Sequence, residues 1–209
     1  AMRATTTGAN NTALGTEALK ANTTADNNTA VGYTALYRNT GANNTALGFS
    51  AGYQITTGTA NTTIGYYTMG SNGGGVTGSN NTALGYTALT SISSGSSNIA
   101  IGYEALYGMT TASENTAIGY RALYTETTGQ RNVAVGYQAL KTQNKTDDSS
   151  EYNVGVGYNA GASTTTGVNN TFLGGLTGTT NTTGANNTFV GYSAGNDNTT
   201  AGNNTAVGS

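Results

Sequence analysis

Few side chains in this sequence can do chemistry, and no familiar catalytic set can be assembled from them. There is no His and no Cys, so imidazole bases, thiolate nucleophiles and thiolate metal ligands are missing. Nine Asp and Glu and seven Lys and Arg are spread over 209 residues, for a formal net charge of −2. Without convergent titratable groups an enzyme is not expected. That charge also carries no basic footprint for nucleic acid and no polybasic signal for anionic lipid. One acidic stretch, holding Asp147, Asp148 and Glu151, could hold Ca²⁺, although it lacks the full ligand spacing of a calcium loop. No cofactor is expected. The Gly-rich run Ser71-Asn72-Gly73-Gly74-Gly75 lacks the Lys-Ser/Thr and the helix of a phosphate cradle.

Two polar patterns remain. Asn-x-Thr sequons recur at Asn10, Asn27, Asn43, Asn61, Asn80, Asn144, Asn169, Asn186 and Asn203. Most arise from Asn-Asn-Thr repetition, and Asn144, in a longer loop, is the most accessible candidate for glycosylation. The tyrosines are the other pattern, and their spacing leads to the elements that position everything else.

The stretch from Asn132 to Leu140, Asn-Val-Ala-Val-Gly-Tyr-Gln-Ala-Leu, returns in some form twelve times, opening at Asn11, 28, 44, 61, 81, 98, 115, 132, 153, 170, 187 and 204. Eight of the eleven intervals are 17 residues, and the two long ones contain loop expansions at 71–79 and 143–151. A short fixed period marks a solenoid and argues against disorder, despite the Asn/Thr/Gly/Ser-rich composition. With the Asn numbered one, position two is β-branched, position four is Leu, Ile or Val, position five is Gly, and position six is aromatic in nine copies. Alternation over positions two, four and six is the period of a strand, and recurrent Gly with β-branched residues disfavours a helix. The Ala-Leu or Ala-Gly pair at positions eight and nine reads as a second strand facing the first. Thr-Thr-Gly segments such as Thr127-Thr128-Gly129 read as turns. The Asn at position one fits a side-chain ladder along a corner.

The expected fold is therefore an all-β parallel β-roll or β-solenoid of about twelve 17-residue coils, forming one domain over 1–209. Both ends stop inside the repeat pattern, so a fragment of a longer fibre, or a protomer that stacks end to end, is expected. Glu104 and Arg121 share position seven in adjacent coils and are expected to pair on the surface. The position-six aromatics are expected to stack and cement the coils. The position-ten tyrosines Tyr37, Tyr53, Tyr107 and Tyr124 are expected at the surface. With Asn144, Asp147 and Asp148 they form the candidate ligand-facing set. No apolar run approaches the roughly 18 residues of a membrane span, so direct insertion is not expected.

Asn98-Ile99-Ala100-Ile101-Gly102 and Asn132-Val133-Ala134-Val135-Gly136 resemble the head repeat of the YadA-like trimeric autotransporter adhesins, which centres on Ser-Val-Ala-Ile-Gly. The longer form from Asn28 to Tyr37 is similar to repeats of bacteriophage tail-fibre and related surface-fibre proteins. The resemblance implies a left-handed roll and a homotrimer packed around one axis. It also implies that positions two and four fill each chain's own core while position three, usually Ala, faces that axis; Phe172 and Phe189 depart from this pattern. The expected function is a structural and adhesive fibre segment, extracellular on a cell surface or virion tail. Its partners would be copies of itself and a host glycan or protein receptor, with the expanded loops as specificity elements. The alternative is an ice-binding β-solenoid, disfavoured because Thr at position two gives way to Ile99, Val133 and Val154, which places that row inward.

Overall fold

The computed structural model describes residues 1–70, 74–147 and 149–208; Ser71, Asn72, Gly73 and Asp148, all within the two loop expansions, lie outside them. Twelve three-residue strands, from β1 (Thr12–Leu14) to β12 (Thr205–Val207), form one parallel sheet whose spatial order is the chain order. Each strand occupies positions two to four of its coil and pairs in register with the same positions of the next, as Thr12, Ala13 and Leu14 pair with Thr29, Ala30 and Val31. This is a parallel β-solenoid, and its eleven steps of about 4.8 Å make a rod about 50 Å long.

Three features make the coil. Gly at position five takes a φ no L side chain adopts comfortably, as at Gly136 (φ 134°), and lies directly under the carbonyl of the next coil's Gly. A Cβ there would meet backbone, so this corner admits only Gly. The residue before each opening Asn is left-handed in every coil, which explains why Asn so often fills it: Asn27 (φ 59°) and Asn169 (φ 57°) are examples. The opening Asn itself is the coil-to-coil rivet. The backbone N–H of Asn98 donates to Oδ1 of Asn81 at 3.0 Å, its own Nδ2 donates to Ala112 O at 2.9 Å, and Oδ1 accepts from Asn115 N at 3.0 Å. The expected Asn ladder is present, and it is buried from Asn28 to Asn187.

The expected second strand is absent. Positions seven to nine form a turn in which seven and nine are left-handed even for Leu, as at Leu36 (φ 49°) and Leu140 (φ 48°). Backbone bonds still run from coil to coil here, with Leu36 N donating to Ala51 O at 3.0 Å. Burial and ladder bonding hold Leu in a region its own preference avoids.

The inside and outside of the strand are the reverse of the expected assignment. Position three is buried, from Ala30 to Phe189, while positions two and four face outward: Leu47, Leu84, Ile118 and Leu173 are all exposed. The reason is volume. The core is supplied by the Ala-Leu pair at positions eight and nine from the opposite wall, so only a small residue fits opposite Leu. Phe172 and Phe189 follow the same rule. In their coils position nine is Gly178 and Gly195, and a Cβ on Gly178 would lie 2.5 Å from the Phe172 ring. Both Phe rings fill this chain's own core and face no axis between chains.

Candidate functional site

Because positions two and four point outward, the sheet presents a continuous face along the rod. Its first row is β-branched, nine Thr with Ile99, Val133 and Val154, and its second is Leu, Ile or Val. Beyond the Gly corner stands the third row, an unbroken stack from Tyr33 through Phe49, Tyr66, Tyr86, Tyr103, Tyr120 and Tyr137 to Tyr158. Its centroid spacings run from 5.0 Å at Tyr120–Tyr137 to 5.3 Å at Phe49–Tyr66. Stacking at this spacing follows from strands about 4.8 Å apart and ties neighbouring coils together, as expected. Most of these rings are nonetheless exposed, Tyr158 to 55%, as is Tyr192, which stands outside the stack, to 64%. Burial and the adjacent Glu104 carboxylate hold the Tyr103 phenol above its ordinary range.

The position-ten tyrosines are set further in. Tyr37 stacks on Tyr53 at 4.9 Å and Tyr107 on Tyr124 at 5.3 Å, and all four are half-buried. Cations cover them: Lys20 Nζ lies 4.9 Å above Tyr37, and the Arg121 guanidinium 5.1 Å from Tyr124. Arg121 also pairs with Glu104 at 2.6 Å, the expected cross-coil bridge. The more exposed aromatic row is therefore position six.

Both loop expansions open between the turn and the next Asn, the first before the inward position-twelve corner and the second after it, and both are shorter than the spacing implied. Val76 is buried and forms a parallel bridge with Ile55, so 76–79 belong to the regular wall. In the second, Asn144 is half-buried, donates its backbone N–H to Thr165 O at 2.9 Å and accepts from Thr127 at 2.8 Å. That is a coil position, not an accessible loop tip. Asp147 is exposed and pairs with Lys145 at 3.1 Å, while Asp148 lies outside the described residues.

Glu151, grouped by sequence with Asp147 and Asp148, turns inward and is fully buried. It meets Glu126, also fully buried, from the coil below. Glu126 stands at position twelve, which elsewhere holds Asn22, Asn39, Ile55, Ile92, Met109 and Asn181, all buried. That mixture of apolar and amide residues is the signal by which this inward corner could have been found. Glu126 Oε1 accepts from the backbone N–H groups of Thr127, Thr128 and Gly129 at 2.9, 3.2 and 2.7 Å. Glu151 Oε2 accepts from Asn132 Nδ2. In coil after coil that amide donates to a turn carbonyl, as Asn115 does to Gly129 O at 2.9 Å. Here the insertion has displaced the carbonyl and the Glu151 side chain takes its place. Burial, and the neighbouring carboxylate, push the Glu126 carboxyl up to about 8, and burial pushes Glu151 up as well.

Among the described residues no group of three or more His, Cys, Asp or Glu could hold a metal, and no helix is long and apolar enough to cross a membrane. Neither the protein-family models, nor the curated proteins, nor the solved structures compared with this chain match it. What the arrangement offers is thus a long face of Thr beside Leu, Ile and Val, two cation-capped tyrosine pairs and a buried carboxyl pair.

Proposed function

We propose that the chain is a structural and adhesive fibre segment whose outward sheet face packs against further copies of itself. One observation carries this: a Leu, Ile or Val stands outward in register on every strand, exposed at Leu47, Leu84, Ile118 and Leu173 and half-buried at Val31, Ile64, Ile101 and Val135, beside an exposed aromatic stack. The strip spans about 50 Å by about 10 Å, roughly 500 Å² in projection. That lies at the upper end of the largest patch on an ordinary monomer and falls short of the area of a standard interface, about 800 Å² per partner, so the packing must also cover the neighbouring aromatic row. A second copy offers the matching surface, because its rows repeat at the same spacing. The resemblance to trimeric adhesin heads favours three copies around one axis, with positions two and four, not three, turned toward it. The fibre would act outside the cell or on a virion, displaying the Tyr37–Tyr53 and Tyr107–Tyr124 pairs toward a glycan or protein receptor, where many weak contacts sum to avidity.

Sedimentation velocity of the chain and of an Leu84→Lys/Ile118→Lys double variant tests the assembly. The chain should sediment as an oligomer and the variant as a monomer with unchanged circular dichroism. A wild-type monomer at tens of micromolar would sink the proposal.

A second reading gains support from the outward Thr ladder, since the argument for placing it inside no longer stands. Nine Thr in register on a flat face could order water and bind ice. Inhibition of ice growth by a monomeric chain at micromolar concentration, lost on Thr82→Tyr, would favour that reading over the fibre.

A further inference from the structure

The rod's least ordinary chemistry is internal. Glu126 Oε2, Glu151 Oε1 and Gln143 Oε1 are buried acceptor oxygens with no hydrogen-bond partner. The three side chains are fully buried. Two carboxylates cannot satisfy one another, whereas a carboxyl and a carboxylate can. Each carboxyl group has already committed one oxygen to fixed donors, three backbone amides for Glu126 and the Asn132 amide for Glu151. The two carboxyl groups meet at one residue, since the Gly129 N–H donates to Glu126 and a Cβ on Gly129 would lie within 2.5 Å of the Glu151 carboxyl atoms. We propose that Glu126 and Glu151 share one proton between their two uncommitted oxygens, forming a pH-sensitive lock that closes the coil carrying the insertion.

The surroundings support a proton over a metal ion. A buried Ca²⁺ needs six to eight oxygens, and only three here are free. The coil below contributes Met109, which is apolar, and the coil above contributes Gln143, whose Nε2 lies 3.4 Å from Gly167 O and whose side chain also reaches Glu151, favouring its ionised form and leaving the proton to Glu126. Around the pair stand two further charged side chains, both engaged outward. Lys145 pairs with Asp147, and Arg131 pairs with Glu114 at 2.6 Å and reaches the Tyr152 hydroxyl at 3.2 Å. The Lys145 charge favours an ionised Glu151, but burial outweighs it and leaves the carboxyl above its ordinary range.

The lock responds to alkali. An opened coil would release the proton at the ordinary carboxyl range near 4.5, whereas the closed coil keeps it until about 8. Closed coils then hold one more proton than open ones between those values, so the opening constant rises about tenfold per pH unit across that window and levels off above it.

The test is hydrogen exchange of the Thr127, Thr128 and Gly129 amides in the full chain from pH 5 to 9.5, corrected for intrinsic rates. Opening should increase about tenfold per unit up to about pH 8. Glu126→Gln, whose amide supplies a permanent hydrogen and whose oxygen still accepts the three amides, should remove that dependence. Isotope-edited infrared of wild-type protein at pH 6.5 should show one protonated glutamic acid C=O band; its absence overturns the proposal even if the variant does not fold. A pH-independent wild type does the same. So would protection that rises with added Ca²⁺ and falls with chelator.

Discussion

Replacing Asn98 by Ala removes one rivet from the middle of the rod without changing a surface residue. Asn98 is fully buried, and truncation leaves the Asn115 N–H without the Oδ1 it donates to at 3.0 Å and takes from Ala112 O the amide at 2.9 Å. A buried polar group left unpaired costs about 1–3 kcal/mol, so two cost about 2–6 kcal/mol. The loss should be local, since each coil touches only its neighbours, and should appear in the coils opened by Asn81, Asn98 and Asn115 before the rod's ends. Denaturant unfolding gives the total and amide exchange gives the location. Asn27→Gly is the control. It removes only exposed amide bonds to Asn10 and Asn43, both at 3.2 Å, and keeps the left-handed backbone, so it should cost less than about 1 kcal/mol. Asn98→Asp retains the acceptor and loses the donor, placing a carboxylate against Ala112 O, and should be at least as damaging at neutral pH. If Asn98→Ala lost under 1 kcal/mol, the ladder would be decoration and the account of what joins the coils would be wrong.

Four further outcomes follow from the packing. Gly136→Ala should cost at least about 3 kcal/mol by thermal unfolding, because its Cβ would stand 2.7 Å from the carbonyl carbon of Gly157, closer still to the oxygen, at φ 134°. Gly175→Ala, whose Cβ would meet nothing nearer than Tyr192 at 3.6 Å, should be neutral within about 0.5 kcal/mol. Phe172→Ala should cost about 3–5 kcal/mol, and adding Gly178→Leu should restore part of it by recreating the Ala-Leu pairing of Ala134 and Leu140; equal stability of single and double variants would refute the volume rule. Glu104→Gln should change stability by less than about 1 kcal/mol in a salt titration, since its bridge to Arg121 is partly solvated.

Much of the scaffold is legible in the residues. A 17-residue period with Gly at position five and a β-branched residue at position two can form neither a helix nor an ordinary globule, and parallel stacking is the arrangement that brings twelve like motifs into register. Asn at position one in every copy likewise announces a corner ladder, because an amide both donates and accepts and so can pass a bond along a stack. The stacked aromatics and the Glu104–Arg121 bridge are readable from the same register.

What only the tertiary structure decided is direction. Alternation of period two has two phases, and Thr-Ala-Leu offers apolar atoms to either side. The phase is set by a residue six places further along the chain, since Leu140 fills the interior opposite Ala134 and leaves no room for Val133 or Val135 there. That contact turned positions two and four outward, made them the rod's face, and put Phe172 and Phe189 inside opposite Gly. Burial likewise separated Glu151 from Asp147, residues four apart whose types alone suggested one acidic loop. One carboxylate went to solvent beside Lys145, and the other went inward to replace a missing backbone carbonyl and meet Glu126. A pairing across 25 positions, created by a local expansion of one coil, has no periodic trace in the sequence; it exists because the wall had to close around the insertion.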